Sequence, residues 1–206
     1  MQKKPVAFSL RLAFDFAWTT FKTSYRLFTA VMLTILLAWA LLELAVIAGQ
    51  GLGILFWAAV HLTFFIVFAS IEVGLMRICL ALHNGEQVSF SDTFSNIRLS
   101  ARFLVGQLLY VTMVLAGLLL LILPGIYLGL RYSLFGFSLA SGDTGLIASF
   151  QESARLGKDA GALLFTFFAF LFLLNLLGAS LLGLGLIVTV PLSVLMTVSV
   201  VRQLGA

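Results

Sequence analysis

The chain has 206 residues, of which 62% are hydrophobic and only 10% charged, with a mean hydropathy of +1.15. A water-soluble globular domain carries about 25% charged residues, so that class is excluded and an integral membrane protein is expected. The net charge of +4 does not point to nucleic acid, because the basic residues flank hydrophobic runs, where anionic lipid headgroups are the expected counter-charge.

Residues 6–26 carry helical periodicity. Leu10, Phe14, Trp18, Phe21 and Tyr25 share one face, and Arg11, Asp15, Thr19, Lys22 and Arg26 the other. Such a helix suits a membrane surface or the underside of a bundle, cytoplasmic in either case. The same stretch lacks an uninterrupted apolar run with a small-residue cleavage site and does not read as a removable signal peptide. The first span follows over residues 27–48, interrupted only by Glu43, and turns at the uncharged GQGLG of residues 49–53. A second span over about residues 54–80 holds His61, Glu72 and, at its end, Arg77.

A polar loop, HNGEQV, leads to Ser89, which with Asp92 three residues on reads as the start of a capped amphipathic helix. The third span, about residues 103–123, runs into Pro124–Gly125 and a fourth span, PGIYLGLRYSLFGFSLA, ending at Ala140. Pro124 suits the first position of a helix, where its missing N–H loses nothing. Gly125, Gly129 and Ser133 recur every four positions and form a small-residue face for close helix packing. Residues 145–158 form another amphipathic helix, with Leu146, Phe150 and Ala154 on its apolar side and Arg155 spaced to pair with Asp159. The fifth span, about 162–179, contains Asn175, and the sixth, about 182–201, contains Pro191.

An order of amphipathic helix, span, short turn and span thus occurs three times, in units of about 6–80, 89–140 and 145–201 within a single membrane domain of residues 1–206. The expected fold is all-α, with six transmembrane helices as three hairpins, each preceded by a cytoplasmic amphipathic helix. Apart from Arg131, the Lys and Arg residues lie near the two termini or in the segments that link successive hairpins. The three intra-hairpin turns contain none. By the positive-inside rule both termini of this multi-pass chain are cytoplasmic.

Ionisable groups within spans mark candidate sites. Counted at ~1.5 Å per residue, Glu43, His61 and Arg131 fall at a similar depth, roughly 10 Å below the outer surface. The expectation is a buried polar cluster of Glu43, His61 and Arg131, joined by Asn175, acting either as a packing ion pair or as a substrate or proton site. Glu72, near the cytoplasmic interface, is expected to pair with Arg77, with Arg26 and Arg102 as other partners. Cys79 is the only cysteine, and His61 and His83 are too far apart for a ligand motif, so neither a disulfide nor a metal site is expected. No nucleophile constellation or phosphate loop is visible, and no enzymatic activity or cofactor is expected.

The runs PGIYLGLRYSLFGFSLA, SFQESARLGK and GLGLIVTVPLSVLMTVSVVRQL, with the earlier GEQVSFSDTF, cover nearly the whole chain. Together they resemble the uncharacterised six-helix bacterial inner-membrane proteins related to the membrane domain fused to some glycerophosphodiester phosphodiesterases. The phosphodiesterase catalytic domain is absent, so the resemblance implies a stand-alone membrane module linked to lipid or envelope homeostasis, without that activity. Two functional readings follow. One is a non-enzymatic scaffold, regulator or partner subunit, in contact with anionic lipid and with a membrane-protein partner or a second copy of itself. The other is a small transporter or lipid-translocating permease using the buried polar residues.

Overall fold

The computed structural model describes residues 8–94, 97–142, 145–158, 160–181 and 183–205. Asp159, the partner expected for Arg155, lies outside them, as do Lys3, Lys4 and Asn96. The described chain is helical: α1 (Leu10–Thr23), α2 (Tyr25–Ala48), α3 (Ile54–His83), a 3₁₀ turn (Phe90–Phe94), α4 (Ile97–Leu120), α5 (Ile122–Tyr132), α6 (Phe135–Ala140), α7 (Leu146–Leu156), α8 (Gly161–Ser180) and α9 (Leu186–Gly205). Six stretches are long and apolar enough to cross a membrane: α2, α3, α4, α5 with α6, α8 and α9. Large apolar side chains such as Leu37, Leu44, Phe65, Leu108 and Phe172 are exposed along them. That surface is costly in water and natural in lipid.

Helix α1 begins where Ser9 Oγ accepts the Leu12 N–H at 3.3 Å, satisfying one of the free donors of the first turn. Of the aromatic face given by the periodicity, which suits either the membrane or the bundle, only Phe21 turns fully inward. Ala13, Ala17 and Phe21 are buried, whereas Leu10, Phe14 and Trp18 are partly exposed and Tyr25, the first residue of α2, is half exposed. The reason is steric. Two alanines let α1 approach α9 closely, and bulky rings at those positions would hold the helices apart. The Ser9 N–H donates to Gln203 Oε1 at 2.7 Å, and Arg202 Nη2 donates to Asn84 Oδ1 at 3.0 Å. These two bonds gather the start of α1, the end of α3 and the end of α9 at one end of the molecule.

The second amphipathic segment also departs from expectation. Ser89 and Asp92 do bond reciprocally, with the Ser89 N–H donating to Asp92 Oδ2 at 2.7 Å, but they open the short 3₁₀ turn rather than an α-helix. That turn is seated on α3 at Gly74, where a Cβ would stand 2.0 Å from the Thr93 carbonyl oxygen. Helix α4 then runs without interruption from its polar start through the third span. It meets α5 across the single extended residue Leu121, with Gly117 set against Gly125. Pro124 falls in the first turn of α5, where its missing N–H forfeits no bond.

The fourth span is two helices instead of one. It breaks at Ser133–Leu134, between α5 and α6. Helix α7 lies against the break and buries Ser149 and Ser153 completely. The Leu134 N–H donates to Ser153 Oγ at 3.1 Å, and the same hydroxyl donates to the Arg131 carbonyl at 3.1 Å. A side chain of α7 therefore satisfies backbone groups that the helix break releases. The α8–α9 connection is equally close. A Cβ on Gly185 would lie 2.6 Å from the Gly178 carbonyl oxygen, while Gly183 adopts a φ of +78° and serves the turn. The main core joins Phe28, Val31, Ile71, Ile78, Phe167 and Met196 from four helices.

Candidate functional site

The ionisable residues within the spans are not gathered into one cluster. Glu43 and His61 are exposed on α2 and α3 rather than buried. His61 Nδ1 is 2.8 Å from the Trp57 carbonyl of its own helix. Asn175 on α8 donates through Nδ2 to Ser193 Oγ of α9 at 2.8 Å and to the Leu171 carbonyl at 2.9 Å. Its Oδ1, like the nearby Thr189 Oγ1, is buried without a hydrogen-bond partner among the described residues. Arg131 lies elsewhere again, beside α7. Equal depth along separate helices fixes neither the direction in which each side chain leaves its helix nor which helices are neighbours, and this is why the expected cluster dissolves.

The expected Glu72–Arg77 pair is also not formed. Five positions on one helix separate two side chains by about 140° around the axis. Among the described residues, the ion pairs are Arg11–Asp15 and Arg155–Glu152. Glu72 and Arg77 are both half-buried. The Gly125, Gly129 and Ser133 face lies along a groove of about 530 Å³ walled by Phe165, Phe168 and Phe172 of α8. Only Gly125 makes a backbone approach, against Leu118 of α4. The Gly129 carbonyl accepts the Tyr110 hydroxyl at 2.9 Å.

Three cationic side chains line a cleft between α5 and α7, about 460 Å³ in volume, whose walls include Arg131, Tyr132, Phe150, Gln151, Arg155 and Lys158. Its construction follows from the break in the fourth span. Helix α5 ends one residue after Arg131, and Ser153 ties that end to α7. The Phe150 ring stacks on Phe135 at 4.6 Å and meets Tyr132 edge-on at 5.7 Å, which fixes the rotation of α7 against α5 and α6. The Arg131 guanidinium donates to the Tyr127 hydroxyl and lies 5.6 Å and 6.0 Å from the ring centroids of Tyr127 and Tyr132. These contacts hold it by hydrogen bonding and cation–π attraction.

On α7, Arg155 is bidentate to Glu152, at 2.8 Å and 2.6 Å. The pairing holds the Glu152 carboxyl below its ordinary pKa and raises that of Arg155. The expected partner of Arg155, Asp159, lies outside the described residues. Glu152 faces a neighbouring cleft of about 520 Å³ shared with Ser138, Ser141 and Arg202. Arg155 forms the wall between the two clefts.

Sequence reasoning missed this constellation. Arg131 and the cations Arg155 and Lys158 are some 25 positions apart, and the one available signal was an aromatic residue within one or two helical turns of a cation in each stretch, Tyr127 and Tyr132 about Arg131 and Phe150 before Arg155. Among the described residues, no group of three or more His, Cys, Asp or Glu side chains is placed to hold a metal. No protein-family model matches this chain, and neither a curated protein nor a solved structure does.

Proposed function

We propose that the chain is a bacterial inner-membrane protein that crosses the bilayer six times as three hairpins and works as a non-enzymatic scaffold, regulator or partner subunit held against anionic lipid. One observation carries the reading. Hydrogen bonds Ser9–Gln203 and Arg202–Asn84 bring together the start of α1 and the ends of α3 and α9, and α1 presents the exposed rings of Phe14 and Trp18 with Lys22 Nζ 5.6 Å from the Trp18 ring. Aromatic rings bordered by cations suit the headgroup region of a bilayer. The turns at the other end, residues 49–53, 121 and 181–185, contain no Lys or Arg. Under the positive-inside rule the cationic end, with both termini, is cytosolic. The amphipathic helices α1 and α7 then rest on the inner leaflet. The resemblance to stand-alone six-helix envelope proteins points the same way.

Native purification with bound species identified by mass spectrometry tests this reading. The expected result is enrichment of anionic over zwitterionic lipid, together with a membrane-protein partner or a second copy at fixed stoichiometry. A small solute bound one per chain, with neither lipid enrichment nor partner, would replace it with transport. The observation that favours transport is the pair of unpartnered buried oxygens, Asn175 Oδ1 and Thr189 Oγ1, beside Pro191 in the α8–α9 seam.

A further inference from the structure

The geometry points to the cleft between α5 and α7 as a binding site for the phosphate of an anionic lipid headgroup. This rests on the lipid-held reading above and gives it an address. Three cations line the cleft, Arg131, Arg155 and Lys158. The only carboxylate among the described residues that engages them is Glu152, which is committed to Arg155. That leaves an excess of positive charge facing the cleft, which a phosphodiester would neutralise. Arg131 is already oriented by Tyr127 and Tyr132, and a guanidinium has five N–H donors, so it keeps donors for an incoming oxygen. Because the side chain is held before binding, little ordering is needed on association.

The choice of a lipid over a soluble anion comes from what surrounds the cations. Arg131 belongs to a stretch, Ile122–Ala140, long and apolar enough to cross a membrane. Exposed Ile147 and half-buried Phe150 complete the wall of the cleft. A headgroup phosphate can reach the three cations while its acyl chains stay beside these apolar residues. The volume of about 460 Å³ falls in the ~300–1,000 Å³ range of small-molecule sites.

The test uses the full chain in detergent, titrated with short-chain phosphatidylglycerol, short-chain phosphatidylcholine and inorganic phosphate, with binding read by native mass spectrometry. Phosphatidylglycerol is expected to bind in preference to phosphatidylcholine. Arg131→Gln and Lys158→Gln should each weaken it about tenfold, equivalent to ~1.4 kcal/mol, while Gln50→Ala in the exposed turn after α2 leaves it unchanged. Lys158 is exposed, so its variant keeps the test valid if Arg131→Gln fails to fold. Unchanged binding in the Lys158 variant, with loss in Lys22→Gln on α1 instead, would overturn this site and leave the lipid-held reading standing. Displacement of phosphatidylglycerol by an equal concentration of inorganic phosphate would make the ligand a soluble anion and overturn the lipid assignment. An absence of any preference for phosphatidylglycerol in the unsubstituted chain would sink both.

Discussion

Gly74→Ala is expected to lower stability by about 1–3 kcal/mol, the usual range for overpacking a filled contact, and to release the 3₁₀ turn from α3. The added Cβ would lie 2.0 Å, 2.6 Å and 2.7 Å from the carbonyl oxygen, carbonyl carbon and Cα of Thr93. All three are backbone atoms, so no side-chain rotation relieves the clash and the whole turn must move. Gly161→Ala is the matched control. It stands at the start of α8 with nothing within 4 Å of its Cβ position, and alanine there should be neutral or stabilising by up to ~1 kcal/mol. Thermal unfolding in one detergent separates the two. Equal melting of Gly74→Ala and the unsubstituted chain would mean that the turn does not rest on α3.

Ser153→Ala carries the second large effect, and it acts at the break in the fourth span. The Ser153 hydroxyl is completely buried, accepts the Leu134 N–H and donates to the Arg131 carbonyl. Removing it strands a buried backbone donor, which costs about 1–3 kcal/mol. The loss should also untie α7 from the end of α5 and loosen Arg131, so the α5–α7 cleft changes shape even in molecules that stay folded. Ser180→Ala is the comparison. That serine is exposed and bonds back to the Leu177 carbonyl of its own helix, so its removal should fall within about 0.5 kcal/mol of the unsubstituted chain. Detergent-denaturation midpoints report both. A Ser153 variant as stable as the Ser180 variant would remove the hydroxyl from its bridging role.

Much of the fold was legible because lipid solvent imposes simple rules. Runs of Leu, Ile and Phe of sufficient length mark the six candidate spans, and the turns at residues 49–53 and 181–185 sit where uncharged Gly-rich stretches interrupt them. Pro124 reads as the first residue of a helix and stands instead as the third of α5, still within the first turn where its missing N–H forfeits no bond. The face of α1 was not legible by the same means. Periodicity favours the large rings of Phe14 and Trp18, but a close helix–helix contact selects the small Ala13 and Ala17. The break at Ser133–Leu134 has no proline or glycine to announce it: the Ser133 hydroxyl bonds back to the Leu130 carbonyl, and the Leu134 N–H and Arg131 carbonyl are satisfied from Ser153, about twenty residues away.

The polar residues show the limit most clearly. Depth counted from sequence assumes an unbroken span, which the break between α5 and α6 denies for Arg131, and the direction in which a side chain leaves its helix depends on which neighbour that helix packs against. Glu43, His61, Asn175 and Arg131 were read by depth alone and are found in separate surroundings. Arg131 instead meets Arg155 and Lys158 through α7, a juxtaposition created by the same helix break that sequence could not show.

The orientation of the bundle in the bilayer bears on the whole account, and single-cysteine labelling of intact cells addresses it directly. The native Cys79 is fully buried, so the background is low. Cysteine placed at Gln50 or Ser180, both exposed at the turn end, should react with a membrane-impermeant maleimide added outside the cytoplasmic membrane. Cysteine at exposed Glu86, at the cationic end, should react only after the membrane is opened. The opposite pattern, with Glu86 reached from outside and Gln50 and Ser180 protected until lysis, would contradict the account.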